Sequence, residues 1–369
     1  MGVLGCGTHT VRIIDRVTGR HVASPPLARV QWSRRRDQWS TASVQFVKRP
    51  GTDCCGEISV VRTWRHELEV SRDGVVVWVG PIQRISENRT RIQIDAADRL
   101  VWLSRRVLRG TRTMTDIDPT RIFAAVLAEA LGRYDTIPVR PALVDCGTAT
   151  SLSWDFANRT TAWEALRDIL GVHVDATMVA DILYAGPTTV PAGVVATLSE
   201  PDIVGDVDVI EDGDTVATIA HVRAAGGLAA TFPPEPATAP LGDDWWGVID
   251  GIVDRSTAAS AAEALAGARS AWRNRRHPPL FVSLPSSARL APTAPITVAQ
   301  LIPGAQVTLS FKKNRCRPVT GRYEIVDMAV SQGSGSGAAR TADGQFATTG
   351  DAAAENVVVS LAPAGASDG

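Results

Sequence analysis

The sequence lacks most of the features that announce an enzyme or a membrane-spanning protein. No apolar run reaches the roughly 20 residues that a bilayer-spanning helix needs. Met1–Thr10 has no basic start followed by an apolar stretch, so no secretory signal is expected. There is no Gly-x-x-x-x-Gly-Lys phosphate loop, no His-Glu-x-x-His zinc helix and no Gly-x-Ser-x-Gly nucleophile turn. The six histidines, His9, His21, His66, His173, His221 and His277, stand apart from one another, and none pairs with a nucleophile by spacing. Scattered carboxylates could supply a glycosidase pair, but that chemistry depends on a spatial separation that a sequence does not give. The expectation is a non-enzymatic protein without a cofactor. Only three of 38 basic residues are lysines, Lys48, Lys312 and Lys313, which with the abundant alanine reads as the codon bias of a GC-rich genome.

Cysteine is also sparse. Five are present, an odd number, and only Cys54 and Cys55 are adjacent, which is not a dense disulfide framework. Cys6 lies in Gly-Cys-Gly and the Cys54-Cys55 pair precedes a glycine, so both sites read as loops. Were they to meet, Cys6, Cys54 and Cys55 could form a disulfide or a thiolate metal site. Without Cys-x-x-Cys spacing, buried free thiols are the plainer reading.

What is present is a folded chain of 369 residues, 44% hydrophobic and 21% charged, long enough for about two to four domains. Residues 1–150 carry 23 Lys+Arg and 15 Asp+Glu, a balance of +8; the remainder carries 15 and 24, a balance of −9, and the sum is −1. The two parts therefore face different surroundings. The basic residues are scattered through strand-like segments, unlike the basic stripe with interleaved aromatics of a nucleic-acid binder.

Residues 1–110 read as β-structure. Val11–Val17 and Ser43–Val47 alternate, and His66–Arg72, Asp73-Gly74 and Val75–Val79 spell a hairpin with the favoured tight-turn pair. Gly80-Pro81 is expected to end that strand, with Ile82–Ile85 and Thr90–Asp95 forming the next pair. From 111 to 194 an α+β insertion is expected: Asp118 caps a helix that Pro119 opens and Gly132 closes, and a second helix follows Thr161. Val172–Asp175 and Asp181–Tyr184 look like strands. Residues of about 195–225 return to β and are expected to complete the N-terminal barrel. The stretch 226–245 reads as a linker, and 246–331 as a helix starting at Ser256 packed on a second barrel. In that barrel Ala305–Phe311 and Arg322–Ala329 flank a solvated basic loop, Lys312–Arg317. Residues 332–369, rich in Gly, Ala, Ser and Thr, read as a flexible tail. The fold class is mainly β with α+β insertions, carrying two β-barrel domains.

The acidic stretch resembles a calcium loop only superficially: counted from Asp208, the third position is Ile210, which cannot ligate. Trp32, Trp39, Trp64, Trp78 and Trp102 all fall in the N-terminal β region, where they fill a barrel core or anchor an interface. Exposed tryptophans also serve sugar-binding modules, which keeps a glycan-binding reading open.

Several segments, taken in order, resemble one family. They are Cys54-Cys55, Trp64-Arg-His-Glu-Leu68, Arg72-Asp73-Gly74, Trp78-Val-Gly-Pro-Ile82 and Ala96-Ala-Asp-Arg-Leu-Val-Trp-Leu103 followed by Arg105-Arg106. Ile249-Asp-Gly-Ile-Val-Asp254, Leu290-Ala-Pro-Thr-Ala-Pro295 and Leu301-Ile-Pro-Gly-Ala-Gln-Val307 come after. The set resembles minor tail proteins of long-tailed actinobacterial phages, of the baseplate-hub type. The resemblance implies two barrels with α+β insertions, assembled as a homotrimeric ring that closes the tail tube at the virion's tail tip. It implies partners among the distal tail protein, the tape measure and the tip or receptor-binding proteins, with DNA present only in transit. Nothing recognisable follows residue 331, so no fused lysozyme or peptidase domain is expected. A host-surface glycan-binding module and a cell-wall hydrolase are the alternatives.

On this reading Asp202, Asp206, Asp208, Glu211, Asp212 and Asp214 are candidates for the channel wall, since carboxylates repel a passing polyanion. Arg34, Arg35, Arg36, Trp39, Arg105 and Arg106 are candidates for contacts with neighbouring subunits.

Overall fold

The computed structural model describes residues 4–25, 27–48, 54–132, 137–167, 169–171, 173–187, 193–205, 207–211, 213–214, 216–224, 227–233, 247–255, 261–275, 280–283, 288–312, 316, 318–333, 339–340, 346–347 and 355–363. The chain divides into two compact units, one of residues 1–206 with 284–369 and one of residues 207–283.

The first unit is built on a thirteen-stranded sheet. Its organising element is the long strand Val319–Gly333, which changes partner midway. Val319–Glu324 pairs with Gln306–Phe311, and Asp327–Gly333 pairs with Arg29–Arg35. From Arg29–Arg35 the path runs through Thr41–Val47, Arg91–Ala97, Val75–Glu87, His66–Arg72 and His9–Asp15 to His21–Ala23. On the opposite edge of the long strand lie Asn356–Pro363, then Ala288–Leu290 and Ile203–Val204. Val194–Leu198 adds in parallel to Gln306–Phe311. The fold is thus mainly β, with the two predicted strand assemblies fused through one shared strand. Among the described residues no backbone ladder closes either into a barrel.

Local rules explain much of this. The Asp73-Gly74 turn has both residues at positive φ, +51° and +78°, as a tight hairpin needs. The strand after it does not stop at Gly80-Pro81, as the sequence suggests, but runs on to Glu87. It changes partner there: up to Pro81 it faces His66–Arg72, and from Ile82 it faces Arg91–Ala97. Glycine is required at this corner because a β-carbon on Gly80 would lie 2.0 Å from the carbonyl oxygen of Ala97. Gly80→Ala is expected to lower stability by about 1–3 kcal/mol through the forced backbone shift. An unchanged urea midpoint would contradict so close a crossing.

The α+β insertion has its own core. Helix Pro119–Leu131 starts on Asp118, whose side chain accepts from Thr120 N, and ends at Gly132, whose N–H donates to the Ala128 carbonyl. It buries Ile122, Phe123, Val126 and Leu127 against Leu152, Trp154, Leu166 and Leu183. The second helix is a short one, Ala162–Leu166, opened by a reciprocal Thr161–Glu164 capping box. The strands that follow are Asp175–Val179 and Ile182–Gly186, the first starting later than its sequence pattern indicates.

Four expectations need correction. The helix Ala261–Arg275 was expected on the second barrel, yet it belongs to the unit of residues 207–283. Its small Ala264 and Ala268, one turn apart, pack on Val222, Phe232 and Val253 of the sheet formed by Ala229–Phe232, Ile219–Ala224 and Asp250–Arg255. Ser256, its expected cap, lies outside the described residues. The linker at 226–245 begins with a strand, Ala229–Phe232, and the returning segment 195–225 is split, since Ile219–Ala224 lies in this second unit. The tail 332–369 holds the strand Asn356–Pro363, whose Val357, Val358 and Val359 are buried against Val319–Gly333. The β-branched run sets that strand, and burial of its valines holds it.

Candidate functional site

Among the described residues a buried polar centre lies where the segment 5–9 meets Arg72 and Glu355. Glu355 is fully buried and receives a two-pronged contact from Arg72, Nε to Oε1 at 2.6 Å and Nη2 to Oε2 at 2.8 Å. The backbone N–H groups of Gly5 and Gly7 also donate to Oε2, at 3.1 and 3.3 Å. A β-carbon on Gly7 would sit 2.3 Å from Arg72 Nε, so any larger residue would push the guanidinium away from Glu355. Beside the pair, Trp32 Nε1 donates to His9 Nε2 at 3.1 Å, which leaves the proton on Nδ1 to donate to Gln332 Oε1 at 2.9 Å. Gln332 Nε2 in turn donates to the Gly7 carbonyl at 2.8 Å. One amide side chain on the shared strand thereby bridges to the segment that starts the opposite end of the sheet path. Burial lowers the His9 pKa, keeping the ring neutral, while Glu355 raises that of Arg72.

A second polar cluster clasps the insertion to the sheet. Asp37, at the tip between Arg29–Arg35 and Thr41–Val47, exchanges hydrogen bonds with Ala176: Asp37 N donates to Ala176 O, and Ala176 N to Asp37 Oδ1, each at 2.8 Å. Arg36 lies 3.6 Å from both Asp37 and Asp175 and is ion-paired with Glu324. Trp39 meets Trp163 edge-on with ring centroids 5.0 Å apart. Burial, reinforced by the Asp175 charge, raises the Asp37 pKa to about 7. A carboxyl raised in the folded state contributes stability that is present below its unfolded pKa of about 3.9 and lost as pH rises through about 7. Asp37→Asn keeps the acceptor for Ala176 and tolerates the observed φ of +54°. It is expected to be more stable than wild type at pH 8, by a few kcal/mol at most given about 1.4 kcal/mol per pKa unit, with the advantage gone at pH 4. Equal melting-temperature differences at both pH values would contradict the raised carboxyl.

The interface candidates fall into two groups. Arg34 and Arg106 are interior residues, 2% and 9% exposed, which removes them as contacts with neighbours. Arg34 alternates inward on its strand and donates to the carbonyls of Val298 and Leu301 at 3.0 and 3.1 Å; burial lowers its pKa to about 10. Arg106 donates to the Ala130 carbonyl. Arg35, Arg36 and Trp39 are half-buried in the clasp, where the Arg35 carbonyl accepts from Thr177 Oγ1 at 2.9 Å. Arg105 alone among the six is exposed.

Of the acidic candidates, Asp202 lies in the first unit and accepts from Ser199 N and Oγ, while Asp208 and Asp214 are exposed in the second. Asp206, Asp212 and the Glu211 side chain lie outside the described residues. Cys6 is an exposed free thiol, and the side chains of Cys54 and Cys55, at the start of the helix Cys54–Ser59, are likewise outside them. Among the described residues no group of three His, Cys, Asp or Glu side chains gathers as a metal site.

The structure also brings together what the sequence keeps apart. Trp64 and Trp102 meet edge-on at 4.9 Å, with Arg105 over the Trp64 ring at 5.4 Å and Arg16 and Arg106 over that of Trp102 at 5.0 and 5.3 Å. In the second unit His221 touches Thr231 Oγ1 at 3.0 Å and Asp250 Oδ1 at 2.8 Å across neighbouring strands. Two half-buried groups and the exposed Asp250 thus link three neighbouring strands, and spacing in the sequence gives no hint of it.

No family profile and no curated protein matches this sequence. Solved structures do match its fold end to end. The 43 kDa tail protein of prophage MuSo2 from Shewanella oneidensis superposes with a TM-score of 0.58 at 10% identity, over 96% of this chain and 98% of that one. Prophage tail protein gp18 from Listeria monocytogenes EGD-e gives 0.54 at 9% identity, over 95% and 94%. A tail protein from Neisseria meningitidis MC58 gives 0.53 at 14% identity, over 95% and 96%. At these identities the likeness is one of fold, shared with these three tail proteins.

Proposed function

We propose that this chain is a structural subunit of a phage tail tip, a baseplate-hub protein that forms a homotrimeric ring closing the tail tube. The observation that carries the reading is the match over nearly the whole length of both chains to the MuSo2 tail protein. A shared module would match in part; here both strand assemblies, the insertion and the second unit are accounted for together. The ordered sequence motifs support the finer reading, a minor tail protein of an actinobacterial long-tailed phage. In that setting the subunit joins the tube to the distal tail protein, the tape measure and the tip or receptor-binding proteins, and DNA passes through without being held.

Asp202, Asp206, Asp208, Glu211, Asp212 and Asp214 are the carboxylates proposed for the channel wall, because carboxylates keep a polyanion mobile where arginines would bind its phosphates. A ring follows from head-to-tail contacts whose rotation closes after three copies. Light scattering on the purified chain tests this: three chains of 39.2 kDa give about 118 kDa. A 39.2 kDa mass persisting at the highest concentrations reached would count against a self-assembled ring.

A further inference from the structure

We propose that the surface formed by the turn at residues 15–20, the segment 59–66 and the short helix Arg99–Arg105 docks an acidic peptide segment of a neighbouring protein. This names a partner chemistry for the tail-subunit reading and rests on it only for where the partner comes from.

Three segments far apart in sequence build the surface. The Arg16 N–H donates to the Arg65 carbonyl, which holds the turn against the segment. Trp64 N donates to the Ile82 carbonyl, and Trp64 adopts φ +63°, a conformation that bulky residues rarely take and that marks a constrained position. Arg62, Arg65 and Arg105 are exposed around it. Arg65 is neutralised by Asp15, Nη2 to Oδ2 at 2.7 Å. Among the described residues Arg62 donates to the carbonyls of Ser59 and Val61, and Arg105 lies over the Trp64 ring. Among the described residues neither Arg62 nor Arg105 has a carboxylate partner.

The chemistry of the surface selects the occupant. Trp64 and Trp102 each carry a guanidinium over the ring and meet at an edge, so their faces are not open platforms for a nucleobase or a sugar. The stacked Arg105 instead offers the N–H edges of a fixed, planar fork, which matches a carboxylate. Val17 and Val60, 61% and 53% exposed, stand next in sequence to Arg16 and Val61 and add apolar area. A peptide with both acidic and aliphatic side chains uses both features, whereas a phosphate backbone uses the charge alone.

The test uses the full-length protein at low salt and a fluorescein-labelled peptide of alternating glutamate and valine, read by anisotropy. A single-stranded DNA of equal net charge and polygalacturonate serve as comparisons. Peptide binding is expected, weakened about tenfold or more in Arg62→Glu/Arg105→Glu. Both residues are exposed and their contacts are local, so the variant should keep the wild-type circular dichroism and a cooperative melt. Binding should also change the tryptophan emission of wild type, and that change should shrink in Trp64→Phe. Absent peptide binding, or equal affinity in wild type and the double variant, overturns the proposal. So does DNA or polygalacturonate binding more tightly than the peptide, which would assign the surface to nucleic acid or glycan. A chain that fails to trimerise yet binds the peptide through Arg62 and Arg105 leaves the docking surface standing and removes only the ring.

Discussion

Glu355→Ala should destabilise the first unit by about 3–5 kcal/mol, as expected when one partner of a buried ion pair is removed. Glu355 is fully buried and Arg72 is 7% exposed, so the arginine left behind gains little water and, among the described residues, keeps only Asp73, Nη1 to Oδ2 at 3.0 Å, as a carboxylate partner. The substitution also strands the N–H groups of Gly5 and Gly7, and it strips from the His9 surroundings the negative charge that offsets Arg72. Glu355→Gln keeps the shape but not the charge and should fall between the variant and wild type. Replacing both partners, Arg72→Met with Glu355→Leu, should recover a large part of the loss, because the cost lies in a buried guanidinium left with only Asp73 as its carboxylate partner. Chemical denaturation measures all three. If Glu355→Ala costs no more than a surface pair, about 1 kcal/mol or less, the centre is solvated and the account of it is wrong.

The second large effect concerns the end of the described chain. Truncation after Gly333 removes Glu355 and the strand Asn356–Pro363, with the buried Val357, Val358 and Val359. Each valine withdrawn from water contributes about 1.5–3 kcal/mol. Three of them with the ion pair approach the whole stability of an ordinary domain, about 5–15 kcal/mol. The truncated chain is therefore expected to lose cooperative unfolding and to expose the edge of Val319–Gly333, which invites aggregation. A soluble, cooperatively melting truncation product would restore the reading of this segment as a flexible tail.

That contrast marks what the sequence could and could not convey. The Asp73-Gly74 hairpin and the helix from Asp118 to Gly132 were legible because their signals are local: a turn pair, a cap, a proline, a closing glycine. Asn356–Pro363 was not, because a short β-branched run sits in a stretch dominated by Gly, Ala, Ser and Thr, and the Arg72 that pairs with the adjoining Glu355 is 283 residues away. Arg34-Arg35-Arg36 looked like one surface patch, yet strand alternation turns Arg34 inward while Arg36 reaches Glu324. Gly80-Pro81 looked like a stop because a strand that changes partners carries the same residues as one that ends. The stack of Arg16, Trp102, Trp64 and Arg105 joins three segments, and only the sheet topology brings them together.

The central claim, a tail-tip hub, is tested most directly by an image reconstruction of the tail end of the intact phage particle. Three copies of this chain around the tube axis are predicted, with Asp208 and Asp214 toward the lumen and Arg62 and Arg105 against a neighbouring protein. A tail end in which this chain is absent, or in which its arginines line the lumen while the carboxylates face outward, would contradict the account.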